Sequence, residues 1–145
     1  MLLDDITKGI SKTLKNRFSN KKIYIDEVPQ DFVEPCFFIK LLKLDEKQVI
    51  GERYFRRYFF DIRYFPDKIE SKSRDIWNVV DTLQDLLELI TLPNDSIIRG
   101  TNRNAESEDN ILHYFISYNM YVIKKKDQEE YMESLEHKQQ AKGSE

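Results

Sequence analysis

The residue types that most often carry out chemistry are few in this sequence and lie far apart. Its two histidines are His113, within an alternating apolar run, and His137, within a polar segment. Neither has a partner at the spacing of a metal site, and the chain contains no HExxH or CxxC motif. The one cysteine, Cys36, precedes two phenylalanines, which favours a packed thiol over a nucleophile. These residues therefore predict neither a metal centre nor covalent catalysis.

Paired carboxylates are the remaining candidates for acid–base chemistry. Asp4-Asp5 stands at the start of a predicted helix, where acidic residues interact favourably with the helix dipole. Glu129-Glu130 stands in a polar segment, and neither pair has the apolar surroundings that raise a carboxyl pKa. The sequence also lacks a glycine-rich phosphate loop and a Gly-x-Ser-x-Gly elbow. We therefore expect a protein that is not an enzyme and that uses no cofactor.

The segment Arg53–Phe65 interleaves arginines with aromatic residues, a pattern that can stack bases and neutralise phosphates. Glu52 and Asp61 add negative charge there, and the net charge of −3 disfavours a nucleic-acid partner. Arginine and aromatic residues are also enriched at the centres of protein interfaces. We therefore favour a protein partner over a nucleic-acid-binding module, which stays the alternative. The candidate interface residues are Arg53, Arg56, Arg57, Phe59, Asp61 and Arg63.

Hydrophobic periodicity predicts the elements that position this segment. Two amphipathic helices are expected, at Leu3–Phe18 and Ser71–Ile90. Strands are expected at Ile23–Ile25, Cys36–Leu44, Arg53–Phe65, Ile97–Thr101 and Ile111–Ile123. The segment Asp45–Gly51 is predicted to be a polar tip with a turn at Gly51, and Asn102–Asn110 is predicted to be an exposed loop or an irregular hairpin. The order α-β-β-β-α-β-β predicts an α+β fold, with two helices on one face of an antiparallel sheet of about four to five strands.

The period of two along Arg53–Phe65 assigns its side chains to two faces. The face predicted to join the core consists of Tyr58, Phe60, Ile62 and Tyr64. The face predicted to contact a partner consists of Arg57, Phe59, Asp61 and Arg63.

The length of 145 residues predicts one domain, which we place at residues 1–123. From Lys124 onwards the chain is rich in charged and polar residues, so residues 124–145 are predicted to form a frayed helix or a disordered tail. No apolar stretch approaches the ~20 residues of a membrane span, and the N-terminus turns polar at once. We therefore expect intracellular synthesis and no association with membranes.

Four segments together resemble a known family: Glu34–Lys40, Arg56–Pro66, Ile98–Thr101 and Leu112–Tyr118. They look like segments of the small phage tail terminator proteins found in tailed phages and prophages of Firmicutes. The likeness extends from about Leu3 to Ile123, with all elements in order. Its motifs are aromatic and structural, so the resemblance implies no catalytic residues.

The resemblance implies a structural role in the virion, at the head-proximal end of a tail assembled in the host cytoplasm. Such proteins form a homo-oligomeric ring, typically of six subunits, that binds the last ring of the major tail tube protein and stops tube growth. The ring also presents a surface for the head-completion (stopper) protein and, in contractile tails, anchors the end of the sheath. The alternative within phage morphogenesis is a head–tail stopper or a minor tail component.

Overall fold

The computed structural model describes residues 1–68 and 71–125. They form the helices α1 (Leu2–Arg17) and α2 (Lys72–Leu86) and the strands β1 (Lys22–Ile25), β2 (Cys36–Ile50), β3 (Arg53–Phe65), β4 (Leu89–Thr91), β5 (Ile97–Glu108) and β6 (Ile111–Ile123). The strands make one sheet in the order β1-β2-β3-β6-β5-β4. The α+β prediction is confirmed, but the sheet has six strands and is mixed, because β1 pairs with β2 in parallel.

Helix α1 lies in the hollow of a curled sheet. Its apolar stripe of Ile6, Ile10, Leu14 and Phe18 is buried, as the spacing of three and four predicts. The helix contacts β1, β2 and β4. Because β1 and β4 are the two ends of the strand order, the sheet must bend around the helix to bring both within reach. The approach to β4 is close at Gly9, where an added Cβ would lie 3.0 Å from the carbonyl oxygen of Thr91.

The second helix is shorter than predicted, and the strand that follows it was missed. Helix α2 ends at Leu86 rather than at Ile90, and β4 begins at Leu89. Leu87 and Ile90 continue the helical spacing and are both buried, but Ile90 is buried as a strand residue paired with Ile98. The backbone N–H of Gly100 donates to the carbonyl oxygen of Glu88 at 2.7 Å, which holds β5 against this turn.

Both segments are strands for most of their length, so the polar tip at Asp45–Gln48 and the loop reading of Asn102–Asn110 are wrong. The predicted turn at Gly51 and the alternative of an irregular hairpin at Asn102–Asn110 are confirmed. Strand β2 continues through Asp45 to Ile50, and the chain reverses at Gly51, whose φ is +56°. Strand β5 continues to Glu108, and the reversal is confined to Asp109 and Asn110, with φ of +52° and +60°. Two residues of positive φ fit a type I′ hairpin turn. Polar side chains did not prevent either strand, because backbone hydrogen bonds to a neighbouring strand hold it.

The core lies between the helices and one face of β3 and β6. On β3 it contains Tyr58, Phe60, Ile62 and Tyr64, which confirms the predicted core face. On β6 it contains Leu112, Tyr114, Ile116 and Tyr118. The opposite face of the sheet, called the outer face below, is not covered by the helices. No helix among the described residues is long and apolar enough to cross a membrane. The predicted tail lies, from residue 126 onwards, outside the described residues.

Because three tyrosines of this core have raised pKa values, we expect the fold to be lost at alkaline pH. Burial raises the pKa of Tyr64, Tyr114 and Tyr118, and the hydrogen bond from the Tyr64 hydroxyl to Asp75 (2.6 Å) raises that pKa further. Since the folded pKa values lie above the unfolded value of 10.0, this contribution to stability is complete below pH 10.0 and is lost as the pH rises beyond it. We expect unfolding free energy to fall steeply there.

A spectrophotometric titration of tyrosinate, run beside circular dichroism, checks this prediction. The three core tyrosines are expected to ionise only as the native circular dichroism spectrum is lost. Ionisation of all tyrosines in a chain that keeps its native spectrum would contradict the prediction.

Candidate protein-interaction surface

One end of the sheet extends beyond the helices as a three-stranded arm, which we define as Leu42–Ile50 of β2, Arg53–Arg57 of β3 and Asn119–Ile123 of β6. The three segments are hydrogen-bonded neighbours. Leu44 is 50% exposed on the side that continues the core face, and Ile50 at the tip is 79% exposed. The arm is therefore open to solvent on both sides and can contact another protein.

Two of the candidate arginines hold the arm together. Arg56 donates to Glu46 at 2.6 Å, and Lys124 donates to the same carboxylate at 2.7 Å. Hydrogen bonds from Lys124 and Arg56 lower the pKa of Glu46 below its ordinary value. Arg57 pairs with Asp45, which faces it across the β2–β3 ladder. Arg56 and Arg57 thus have carboxylate partners within their own chain.

A second cluster on the outer face is built around Asp61. This residue is 2% exposed, and its Oδ2 accepts from Arg63 Nε at 2.9 Å and lies 3.0 Å from His113 Nδ1. Its Oδ1 is buried and has no hydrogen-bond partner among the described residues. Asp61 is too deep to meet a partner directly, so it positions Arg63 and His113 above it. His113 was not among the predicted site residues, although its place opposite Arg63 in the ladder brings it to the cluster.

Aromatic rings and cations alternate along the remainder of the outer face. Phe59 lies between Lys43 and Arg57, with the Lys43 nitrogen 5.5 Å and the Arg57 guanidinium carbon 5.7 Å from its ring centre. Arg53 lies 5.9 Å from the ring centre of Tyr121. Aromatic rings flanked by cations suit the recognition of protein surfaces, where they anchor contacts at low entropic cost.

At the other end of the outer face a loop covers the sheet. Phe32, in the loop between β1 and β2, packs against Phe38 and Phe65 at ring distances of 5.6 and 4.8 Å. Tyr24 stacks on Phe38, and its hydroxyl accepts from the backbone N–H of Val33 at 3.1 Å. The open part of the outer face therefore begins at the Asp61 cluster and continues to the tip of the arm.

The geometry gives no indication of catalysis or of metal binding. Within residues 1–68 and 71–125, no group of three histidine, cysteine or acidic residues could hold a metal ion. Burial raises the pKa of the Cys36 thiol to about 12, with a smaller contribution from Glu34, so the thiol is un-ionised at neutral pH.

A sequence model of the family described as "Phage tail terminator protein" matches residues 5–130. The chain belongs to the phage tail terminator family. No curated protein matches it. One solved structure, 13% identical, aligns over 88% of this chain and 96% of its own, with a TM-score of 0.42. A TM-score this low does not establish that the two proteins share a fold.

Membership of the phage tail terminator family confirms the resemblance read from the sequence, while an origin in Firmicutes stays a prediction. This tail terminator family protein is a structural component of a phage tail, with a part in tail completion and virion assembly. Its partners are other tail and head proteins of the phage. A family of structural proteins also favours a role other than catalysis.

Proposed function

We propose that this protein forms a hexameric ring at the head-proximal end of the tail, caps the tail tube and ends its elongation. The ring then offers its opposite side to the head-completion protein and, in a contractile tail, also holds the end of the sheath. The observation that carries the proposal is the family match over residues 5–130. The assembling unit in this proposal is the domain of residues 1–123, which ends with β6.

The exposed arm supports the proposal because a ring subunit must contact both its neighbours and the tube. Most of the arm is open on both sides, and its large exposed apolar residues would be costly on a protein that stayed alone. These residues are Leu42, Leu44, Val49, Ile50, Tyr121 and Ile123. A second copy or the tube protein would remove them from water.

We assign contact with the tube to the open outer face. Arg53 is exposed there and forms no ion pair with a carboxylate among the described residues, and the ring of Phe59 is partly exposed beside it. Arg63 and His113 are held in place by the buried Asp61. Arg56 and Arg57 contribute indirectly by fixing the arm, since both already pair with carboxylates.

Mass measurement in solution, with and without assembled tubes of the major tail protein of the same phage, tests this function. Six copies of the 17.4 kDa chain give a closed ring of about 104 kDa. We expect this species either free or on tubes, and tubes that stop growing when the protein is added. A protein that stays monomeric with tubes present and leaves their growth unchanged would refute the proposal.

A further inference from the structure

Two strands of the sheet have long stretches without a neighbour on one side among the described residues. Strand β1 pairs only with Cys36–Ile39 of β2, so Lys40–Ile50 forms a free edge. Strand β4 pairs only with Ile97–Arg99 of β5, so the later part of β5 forms a free edge on the opposite side of the sheet. A bulge between Thr101 and Asn104 interrupts β5, which leaves Asn104–Glu108 as its regular part.

The β2 edge has the properties of a strand that pairs with another chain. An edge strand presents unpaired backbone N–H and C=O groups, and proteins that leave such an edge unused keep it short or strongly charged. The β2 edge carries Lys40, Lys43 and Lys47 and two bulges, but it is long, and Leu42, Leu44 and Val49 on it are exposed. The β5 edge is polar and short, so it lacks the exposed apolar residues of the β2 edge and differs from it in character.

The charges of the two edges are complementary. Lys43 and Lys47 lie on the outer face of the β2 edge, in register with Phe59 and Phe55 of β3. Asp45 lies between them on this face, but it already pairs with Arg57. Glu106 of the β5 edge lies on the same outer face, opposite His113, and Glu108 follows it two residues later. Neither glutamate forms an ion pair with another described residue. Edge-to-edge pairing would place the lysines and glutamates on one side of a continuous sheet.

The strand directions also match. Neighbours β2, β3, β6 and β5 alternate in direction, so β2 and β5 are antiparallel to each other in one subunit. Rotation about an axis along the strands preserves these directions, so β2 of one copy would meet β5 of the next in antiparallel orientation. The two free edges lie towards opposite ends of the strands. For them to meet at the same height in neighbouring subunits, the strands must tilt relative to the rotation axis, as they do in closed barrels.

We propose that the β2 edge of one subunit pairs with the β5 edge of the next, so that the sheets of neighbouring subunits join around the ring. The partner is a second copy of this chain, and the contact uses two different surfaces, which is the kind of contact that closes a ring by rotation. The inference rests on the proposed ring but specifies a contact that the ring does not require.

Exchange of charges between the edges tests the pairing. Replacing Glu106 and Glu108 by lysine is expected to lower ring formation about tenfold or more, because the β5 edge then carries charge of the same sign as Lys43 and Lys47. Adding Lys43→Glu and Lys47→Glu in the same chain is expected to restore it. The matched control, Asp4→Lys with Asp81→Lys, changes the net charge equally on the two helices and is expected to leave the ring intact. Normal ring formation by the variant with lysine at positions 106 and 108 would overturn the pairing. So would a failure of the added Lys43→Glu and Lys47→Glu changes to restore the ring.

Crosslinking identifies the partner edge. The variant with Leu44→Cys and Ser107→Cys, treated with a short bismaleimide, is expected to give a ladder up to the full ring on a denaturing gel. Each single variant is expected to run there as an uncrosslinked monomer. Cys36 is buried and is therefore not expected to react with the crosslinker. A dimer from Leu44→Cys alone would indicate β2–β2 pairing and refute the proposal.

The two proposals fail in different ways. A ring of full mass whose double variant gives no ladder overturns the edge pairing and leaves the proposed function in place. A chain that stays monomeric with tubes present overturns both.

Discussion

Truncation of Leu14 to alanine is expected to lower the free energy of unfolding by about 3 kcal/mol, because it removes fully buried methyl groups and leaves a cavity. Leu14 is 0% exposed on α1, the helix that contacts both ends of the curled sheet. A cavity there weakens the packing of a helix that contacts β1, β2 and β4. Urea unfolding followed by circular dichroism measures the loss as a lower midpoint with an unchanged slope.

The matched control makes the same change at Leu44, which is 50% exposed on the arm. Its truncation is expected to cost less than about 1 kcal/mol, mostly through the lower strand preference of alanine. In the ring, the order should reverse: Leu44→Ala weakens assembly, while any Leu14→Ala chain that folds assembles normally. Equal loss of stability at both positions would show that the arm is packed rather than open.

The core was predictable from sequence because its signal is local. The stripe of α1 and the alternation along β3 and β6 place apolar residues at fixed intervals, and an interval needs no knowledge of distant segments. Ile6, Ile10 and Leu14 are buried as expected, and so are Tyr58 and Phe60.

The parts that sequence patterns missed depend on distant partners. Asn104–Glu108 has no apolar alternation and is a strand because β6 pairs with it. Lys22–Ile25 could not be identified as a parallel strand, since parallel pairing leaves no signal in so short a segment. Leu87 and Ile90 continue the helical spacing beyond the end of α2 at Leu86. Both are buried, but Ile90 is buried as a residue of the next strand, so the apolar spacing alone does not show where the helix ends.

The interaction surface was only partly predictable for the same reason. The segment Arg53–Phe65 was identified from its composition, but the partners of its arginines are set by the register of the β2–β3 ladder. A shift between Leu41 and Lys43 determines that Asp45 meets Arg57 and that Glu46 meets Arg56. These pairings give Arg56 and Arg57 a structural contact within the chain, while their contact with a partner stays a prediction. They also reduce the unpaired positive charge that a nucleic-acid partner would require.

The division between structural and contact arginines gives a prediction for two residues of the same strand. Arg53→Glu is expected to weaken binding to tail tubes about 30-fold, as loss of a central interface residue does, because Arg53 lies over Tyr121 on the open outer face. Its unfolding free energy should stay within about 0.5 kcal/mol of the parent, since the change is at the surface. Cosedimentation with tubes and urea unfolding measure the two effects.

Arg56→Glu, the same substitution three residues along β3, is the contrasting variant. It places a carboxylate directly opposite Glu46 and removes one of the two cations that Glu46 binds. Like charges across a strand pair repel, so the arm should lose local stability. Faster hydrogen exchange at the amides of Asp45–Ile50 would report this loss, and any weakening of tube binding would follow from it. If Arg53→Glu bound tubes as the parent does, the outer face would not be the tube-binding surface. If the amides of Asp45–Ile50 stayed protected in Arg56→Glu, the pair of Arg56 with Glu46 would not be what holds the arm.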